Sequence, residues 1–200
     1  MDEIVPGIFA WDWLSPRFGY HFHGFFVPHP TGNLAIDPVE MPDLVCDELS
    51  QHGISRIVLT NRNHFRDAAR LRARTGARVA VHPADAGFVR EKGVAVDDAL
   101  EPGQKLGPFE VLAVPGKSPG EVALCWPERR LLLVGDACVG PKPGVLGLLP
   151  DQVIDDRPQL EKSLAELLRR DFDTLLLADG YHLLAGGHAA LERLVGSWRS

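Results

Sequence analysis

The chain has 200 residues, of which 45% are hydrophobic and 24% are charged. This composition is typical of a soluble globular domain, and no stretch approaches the ~18–20 apolar residues of a membrane-spanning helix. The formal net charge of −6 argues against a nucleic-acid partner, because phosphate binding needs a clustered basic surface.

The first half of the chain predicts strands followed by alternating helices and strands. A helix fits residues 42–51, because Pro42 opens it and Gly53 closes it. A second helix ends near Arg74, and Gly76 stands where a C-terminal cap belongs. The strand signals, which are rich in Ile, Val and aromatic residues, cover residues 7–13, 20–27, 33–36, 56–60 and 78–81.

The second half is rich in strands and ends in helices. Turns containing Pro and Gly separate its first three strands. Runs of strands with helices after each half predict an α/β layered architecture, which we expect to form a single domain over residues 1–200. The predicted strands are 109–114, 121–126, 131–134 and 174–178, and the predicted helices are 158–170 and 187–197.

Polar residues are concentrated in four loops that follow strand ends. Loops at strand ends are where α/β proteins usually bind ligands. The four loops are 60–67 (TNRNHFRD), 114–120 (VPGKSPG), 135–137 (GDA) and 178–182 (ADGYH).

Four segments in order resemble the metallo-β-lactamase superfamily. They are GNLAIDPVE, IVLTNRNHFRDAARLRARTGARVAVHPADA, LAVPGKSPGEVALCWPERRLLLVGDACV and FDTLLLADGYHLLAGG. They resemble its Leu-Ile-Asp-Pro-Gly turn, its Thr-His-x-His-x-Asp-His segment, its Pro-Gly-His-Ser-Pro-Gly segment with the later Gly-Asp, and its closing Gly-His-Gly. The resemblance covers nearly the whole chain and implies the family's αββα four-layer sandwich.

The chain departs from this family at the positions that hold its metal pair. Only Asp136, at the position of the family's bridging carboxylate, is unchanged. Histidines are replaced at Asn61, Asn63, Arg66, Lys117 and Asp179, and the aspartate that is both ligand and base is replaced by Phe65.

These replacements remove metal donors. Zinc needs imidazole, thiolate or carboxylate ligands, whereas arginine has no available lone pair and asparagine offers a weak carbonyl donor. We therefore predict no cofactor and no metal-activated water. The emptied site is expected to be a ligand pocket with unknown catalytic residues, formed by Asn61, Asn63, His64, Phe65, Arg66, Lys117, Asp136, Asp179 and His182.

Relocated metal ligands are the main alternative. His21 and His23 point to one side of a predicted strand and could join Asp136 in a set that suits iron or zinc. His64 and Asp67 lie one step from the lost positions, although two ligands do not close a site. A capping or solvent-facing role beside a helix start is the simpler interpretation of His64 and Asp67.

Lys117 has two interpretations. It is either a catalytic lysine or an electrostatic replacement for the metal, because Asp136 and Asp179 would otherwise be unpaired carboxylates. The second interpretation predicts the Lys117 ammonium within about 4 Å of Asp136 and a weaker pair between Arg66 and Asp179. Ser118 has no identifiable base nearby and is not predicted to be a nucleophile.

The cysteines and residues 1–20 indicate the cellular compartment in which the protein is expected. Three cysteines, Cys46, Cys125 and Cys138, form no CxxC pair, so we expect reduced structural thiols. Residues 1–20 have no basic start and no long apolar run, which argues against a secretory signal. The resulting expectation is a cytoplasmic protein.

Three functions remain open at this point. The first is a superfamily member without zinc, either catalytically silent or using a metal-free pocket. The second is a hydrolase of esters, thioesters, lactams or phosphoesters with relocated ligands. The third is an interaction module that holds a small anion against Lys117 and Arg66. A small-molecule partner and a homo-oligomer fit all three.

Overall fold

The computed structural model describes residues 1–16 and 18–198. Its internal contacts divide the chain into two units, Met1–Leu100 and Glu101–Ser200. Each unit has its own sheet, helices and apolar core. The single domain expected from the sequence stays a prediction.

The first unit is built on a seven-stranded sheet whose strands follow one another in chain order. The first four strands pair antiparallel, and the last four pair parallel. The strands are β1 (Asp2–Val5), β2 (Ile8–Leu14), β3 (His21–Val27), β4 (Leu34–Ile36), β5 (Arg56–Leu59), β6 (Arg78–Val81) and β7 (Asp98–Ala99).

Three helices connect the parallel strands of this sheet, as parallel pairing requires. Gly76 ends α2 in the left-handed conformation, as the sequence predicts. The third helix was not predicted, because an imidazole caps its start: His82 Nδ1 accepts the Ala84 N–H. The helices are α1 (Asp43–His52), α2 (Ala68–Thr75) and α3 (Pro83–Glu91).

The second unit has a five-stranded sheet in the order β14-β11-β10-β9-β8 and a separate hairpin of β12 and β13. All neighbours in the larger sheet are antiparallel except β11 and β14. Its elements are β8 (Lys105–Leu106), β9 (Phe109–Ala113), β10 (Val122–Trp126), β11 (Leu131–Val134), β12 (Val139–Lys142), β13 (Val145–Gly147), α4 (Arg157–Leu167), β14 (Thr174–Leu177) and α5 (Gly187–Gly196).

Both larger sheets are mixed, so the predicted mixed α/β fold class is confirmed and an all-parallel doubly wound sheet is excluded. Every predicted strand and helix is present, with bounds shifted by up to three residues. The sequence analysis missed α3 and the shortest or outermost strands. Two-residue strands such as β7 and β8 are too short to show a hydrophobic period.

Central strands are buried on both faces, which explains their continuous apolar runs. In β11, for example, all four residues from Leu131 to Val134 are buried. In the described part of the chain, no helix is both long and apolar enough to cross a membrane.

Candidate functional site

The topology of the second unit brings three of the four polar loops to one edge of its sheet. Because β9 and β10 are antiparallel, the residues after Ala113 lie beside those before Val122. Because β11 pairs antiparallel with β10 and parallel with β14, the C-terminal ends of β11 and β14 lie at the same edge. The edge therefore carries four buried charged residues, Lys117, Glu121, Asp136 and Asp179.

A buried ion pair joins two of them. The Lys117 Nζ lies 2.6 Å from Asp136 Oδ2, and the two side chains are 5% and 6% exposed. The ion pair predicted from the sequence is therefore confirmed. Glu121 supports it, because its Oε1 accepts the backbone N–H of Asp136 at 2.6 Å.

Sequence reasoning missed Glu121, although it directly follows the VPGKSPG loop. Its side chain is 1% exposed, and a buried carboxylate needs hydrogen-bond donors to offset its lost hydration. The useful signal was a charged residue immediately before the apolar run of β10, since such a residue enters the sheet edge with the strand.

Helix α4 fixes the loop that carries Lys117. The Ser163 hydroxyl donates to the Pro115 carbonyl at 2.7 Å, and the Asp156 N–H donates to the Gly116 carbonyl at 2.8 Å. Gly116 has a φ of +140°, and a Cβ there would lie 2.3 Å from the backbone nitrogen of Leu160. The loop can approach the helix this closely only because residue 116 is glycine.

Two further glycines position Asp179. The N–H of Gly140 donates to the Asp179 carbonyl at 3.0 Å, and the N–H of Tyr181 donates to the Gly140 carbonyl at 2.8 Å. A Cβ on Gly180 would lie 2.1 Å from the Gly140 carbonyl oxygen. Direct backbone contact thus fixes the start of the closing loop.

His182 has a structural contact in this loop. Its Nδ1 accepts the backbone N–H of Leu177 at 3.2 Å, so the proton of the neutral ring is on Nε2. This contact ties the closing loop back to β14. The predicted pocket residue is thereby oriented by the end of the strand that precedes it.

In the first unit, a buried network of three side chains begins at the end of β4. Asp37 accepts the Thr60 backbone N–H at 2.7 Å and the Thr60 hydroxyl at 2.6 Å. His64 Nδ1 lies 2.9 Å from Asp37 Oδ2 and 3.0 Å from the Thr60 hydroxyl. Both contacts place a proton on Nδ1, and all three residues have no exposed surface.

Asp37 is the second residue that sequence reasoning missed. It has a φ of +48°, which is uncommon for a residue other than glycine. Parallel pairing of Ile36 with Val58 places it beside the loop that follows β5. The Asp-Pro step at the end of a short apolar run was the available signal.

Asn61 and Asn63 organise the loop rather than projecting two free amides. The Asn61 side-chain oxygen accepts the Asn63 N–H at 2.8 Å, which is a local turn that asparagine favours. Asp85 in α3 accepts the Arg62 N–H at 2.9 Å. The residues at two lost ligand positions thus stabilise the backbone of their own loop.

Phe65 and Asp67 lie in different environments. Phe65 packs against the apolar core of the first unit, with its ring 6.4 Å from that of Phe88. Asp67 accepts the Met41 N–H and an Arg70 guanidinium N–H, which fits its structural interpretation. A pocket-facing role for Phe65 stays a prediction.

Arg66 contacts an aromatic ring of its own unit. Its guanidinium carbon lies 4.3 Å from the centroid of the Phe22 ring. No described carboxylate of the first unit lies within ion-pair distance of it. The expected weaker pair with Asp179, a residue of the second unit, stays a prediction.

The two histidines of the relocated site proposed from β3 contact side chains of their own unit. His21 Nδ1 contacts Asp12 on the neighbouring strand, and both side chains are about half exposed. The His23 ring lies 6.3 Å from that of Phe25. Within the described residues, neither histidine belongs to a group of three or more potential metal ligands.

The chain belongs to the metallo-beta-lactamase superfamily, whose family model matches residues 3–198. Among curated proteins, two hydroxyacylglutathione hydrolases from strains of Cereibacter sphaeroides are 32% identical over 120 residues. The match covers 56% of this chain and 46% of each relative. The chain therefore spans about half the length of the curated relatives it matches.

Solved structures share the fold over nearly the whole chain. TTHA1623 in a di-iron-bound form is 25% identical, with a TM-score of 0.70 over 92% of this chain and 97% of its own. The DIM-1 metallo-beta-lactamase is 14% identical, with a TM-score of 0.77 over 98% and 96%. The mono-zinc form of FIM-1 from Pseudomonas aeruginosa is 11% identical, with a TM-score of 0.75 over 98% and 93%.

At several positions where the resemblance places metal ligands, the side chains of this chain offer no metal donor. The ammonium of Lys117 lies against Asp136, so a cation already neutralises the one ligand that is unchanged. Phe65 and Arg66 offer no metal donor at all. Among the residues predicted for the pocket, the strong donors that remain are His64, Asp136, Asp179 and His182.

Proposed function

We propose that this protein is a superfamily member that works without the dinuclear metal centre and binds a small ligand in a polar pocket. The observation that carries the proposal is the Lys117–Asp136 ion pair, 2.6 Å long and about 95% buried. The lysine ammonium at this carboxylate opposes metal binding by repulsion and by occupying its oxygen.

Hydrolysis in the manner of the metal-dependent enzymes needs a water activated by a metal. We infer no other nucleophile in its place, because the Lys117 amine is held by Asp136. Ser118 is fully buried. A pocket of this kind is suited to recognition rather than to acyl or phosphoryl transfer.

Metal content tests the proposal. The protein is purified through a tag without histidines and without chelator, and its zinc and iron are measured by elemental analysis. We expect substoichiometric metal and no zinc uptake in competition with a chromogenic chelator. Stoichiometric zinc or iron in the purified protein would contradict the proposal.

Lys117→His is the matched variant for this test. It removes the ammonium from Asp136 and restores an imidazole donor at the family's position. We expect it to take up zinc more tightly than the natural chain. Equal zinc binding in both proteins would show that Lys117 does not determine metal content.

A thioester hydrolase with relocated ligands is the second candidate, favoured by the likeness to the hydroxyacylglutathione hydrolases. In the second unit, the donors available to it are Asp136 and Asp179, which are both buried. Hydrolysis of lactoylglutathione is measured with and without added zinc. Zinc-dependent turnover that Asp136→Asn abolishes would favour this candidate, and we expect none above the zinc blank.

A further inference from the structure

Arg66 has a buried nitrogen that no part of the described chain satisfies. Its Nη1 is inaccessible to solvent and has no hydrogen-bond partner within residues 1–16 and 18–198. A buried donor without an acceptor is unfavourable, and more so when it carries charge. Because Arg66 as a whole is only partly buried, we expect an oxygen acceptor from outside the protein to reach its guanidinium.

Two carboxylates of the first unit that contact residues of the 60–67 loop or belong to it are already engaged. Asp67, its neighbour in sequence, accepts from the Met41 N–H and from Arg70. Asp37 accepts from Thr60 and contacts His64. The positive charge of Arg66 is therefore not neutralised within the unit.

The Phe22 ring contributes differently. It lies against the guanidinium, with 4.3 Å between the guanidinium carbon and the ring centroid, which is a favourable cation–π contact. The ring provides no oxygen acceptor, whereas guanidinium N–H groups lie in the guanidinium plane and match a carboxylate in pairs. Phe22 thus positions Arg66 and leaves its donors for an anion.

An aromatic cluster surrounds the Phe22 ring that contacts this guanidinium. The Phe22 ring has three neighbours with centroids 5.8–5.9 Å away, those of Trp13, Phe18 and Tyr20. Phe18 is 41% exposed, so the cluster is accessible from solvent. A cation beside an apolar aromatic surface is complementary to an organic acid with a flat apolar body.

We propose that Arg66 and the cluster of Trp13, Phe18, Tyr20 and Phe22 bind the carboxylate and ring of a small aromatic acid. The guanidinium holds the carboxylate, and the aromatic side chains hold the ring. The inference names a ligand class beyond the proposed function, and it uses residues of the first unit alone. It does not depend on the metal content of the protein.

Phenylacetate is the probe, and phenylacetamide is its neutral counterpart of nearly the same shape. Binding of each to the natural chain is measured by calorimetry and by shifts of the protein's amide NMR signals. We expect phenylacetate to bind at least about tenfold more tightly than phenylacetamide, because charge-assisted hydrogen bonds are roughly twice as strong as neutral ones. Equal binding of the two, or no saturable binding of phenylacetate, overturns the inference.

Three variants locate the site. Arg66→Gln is expected to weaken phenylacetate binding about tenfold or more, and Arg66→Lys, which keeps charge without the planar fork, is expected to weaken it less. Arg129→Gln is the matched control, because the Arg129 guanidinium lies 4.5 Å from the Trp126 ring centroid in the second unit. Circular dichroism checks that each variant is folded, and unchanged affinity in both Arg66 variants overturns the inference.

The outcome is separable from that of the proposed function, because metal is measured on the same samples. A metal-free protein that fails to bind phenylacetate overturns this inference and leaves the proposed function standing. A metal-loaded protein that binds phenylacetate through Arg66 overturns the proposed function and supports this inference.

Discussion

The ammonium of Lys117 balances the negative charge of the buried Asp136 carboxylate. A carboxylate that is 6% exposed costs several kcal/mol of desolvation if it stays ionised without a partner. In metal-dependent relatives a cation can meet that need. Here the lysine stem reaches the carboxylate from a neighbouring loop of the same sheet edge, and Glu121 holds the Asp136 backbone in place.

The first stability prediction concerns this pair. Lys117→Ala is expected to lower the free energy of unfolding by about 3–5 kcal/mol, because it leaves a buried carboxylate without its partner. Combining it with Asp136→Asn should cost less than the two single changes summed. Denaturant unfolding of the four proteins measures the coupling.

The exposed pair of Arg130 and Asp171 is the control for that cycle. Its side chains are 58% and 76% exposed, so solvent screens their attraction. We expect the corresponding cycle with Arg130→Ala and Asp171→Asn to show no measurable coupling. If the losses in unfolding free energy from Lys117→Ala and Asp136→Asn are also additive, the two buried side chains are not coupled as an ion pair.

Among elements, α4 determines the position of the Lys117 loop more than the preceding strand does. Asp156 caps the helix, since its side chain accepts the Gln159 N–H at 2.9 Å, while its own N–H binds the Gly116 carbonyl. The first turn of the helix therefore holds the loop through the backbone. The loop's backbone must lie against Leu160 for these bonds to form.

Gly116→Ala tests this packing. The new methyl group would overlap the Leu160 backbone, and alanine is disfavoured at the positive φ of Gly116. We expect a loss of about 3 kcal/mol or more in the free energy of unfolding, from overpacking and backbone strain together.

Gly144→Ala separates the two causes. Gly144 lies in the same unit with a φ of +75° and has no atom within 4 Å of an added Cβ. Its substitution should cost about 1–2 kcal/mol from the left-handed backbone alone. Equal losses at both positions would show that contact with α4 contributes nothing.

At the scale of the whole molecule, the cysteines lie within the two apolar cores. Cys46 belongs to the core of the first unit, and Cys125 and Cys138 belong to that of the second. Burial, with a smaller contribution from Glu121, raises the pKa of the Cys138 thiol to about 12. Burial also raises the pKa of Cys125.

Thiol labelling should therefore report unfolding. At pH 8 a thiol with a pKa near 12 is ionised in about one molecule in ten thousand, and the thiolate is the reactive form. We expect a disulfide reagent to label none of the three cysteines quickly in the native protein and all three in denaturant. Leu44→Cys, at a position that is 79% exposed, is the reactive control. Rapid labelling of the native protein that lacks this substitution would contradict the burial of its three thiols.

Local patterns were sufficient for most elements of the fold. The helix that Pro42 opens and the left-handed cap at Gly76 depend on interactions within a few residues, which a sequence displays directly. The apolar runs of β5 and β11 likewise identify buried strands. What these patterns do not display is α3, whose start uses an imidazole cap, or strands of two residues whose existence depends on a neighbour.

The sequence by itself determined the family, because the family assignment depends on residue identity at ordered motif positions. It also predicted the Lys117–Asp136 pair, since a buried carboxylate needs a cation and one lysine stood at the vacated position. Only the tertiary structure decided that Asp37 and Glu121 support these loops and that Arg66 lies on Phe22 rather than against a carboxylate of its own unit. Those contacts join residues 15 to 44 positions apart, and their formation depends on strand pairing and distance, which a linear pattern does not contain.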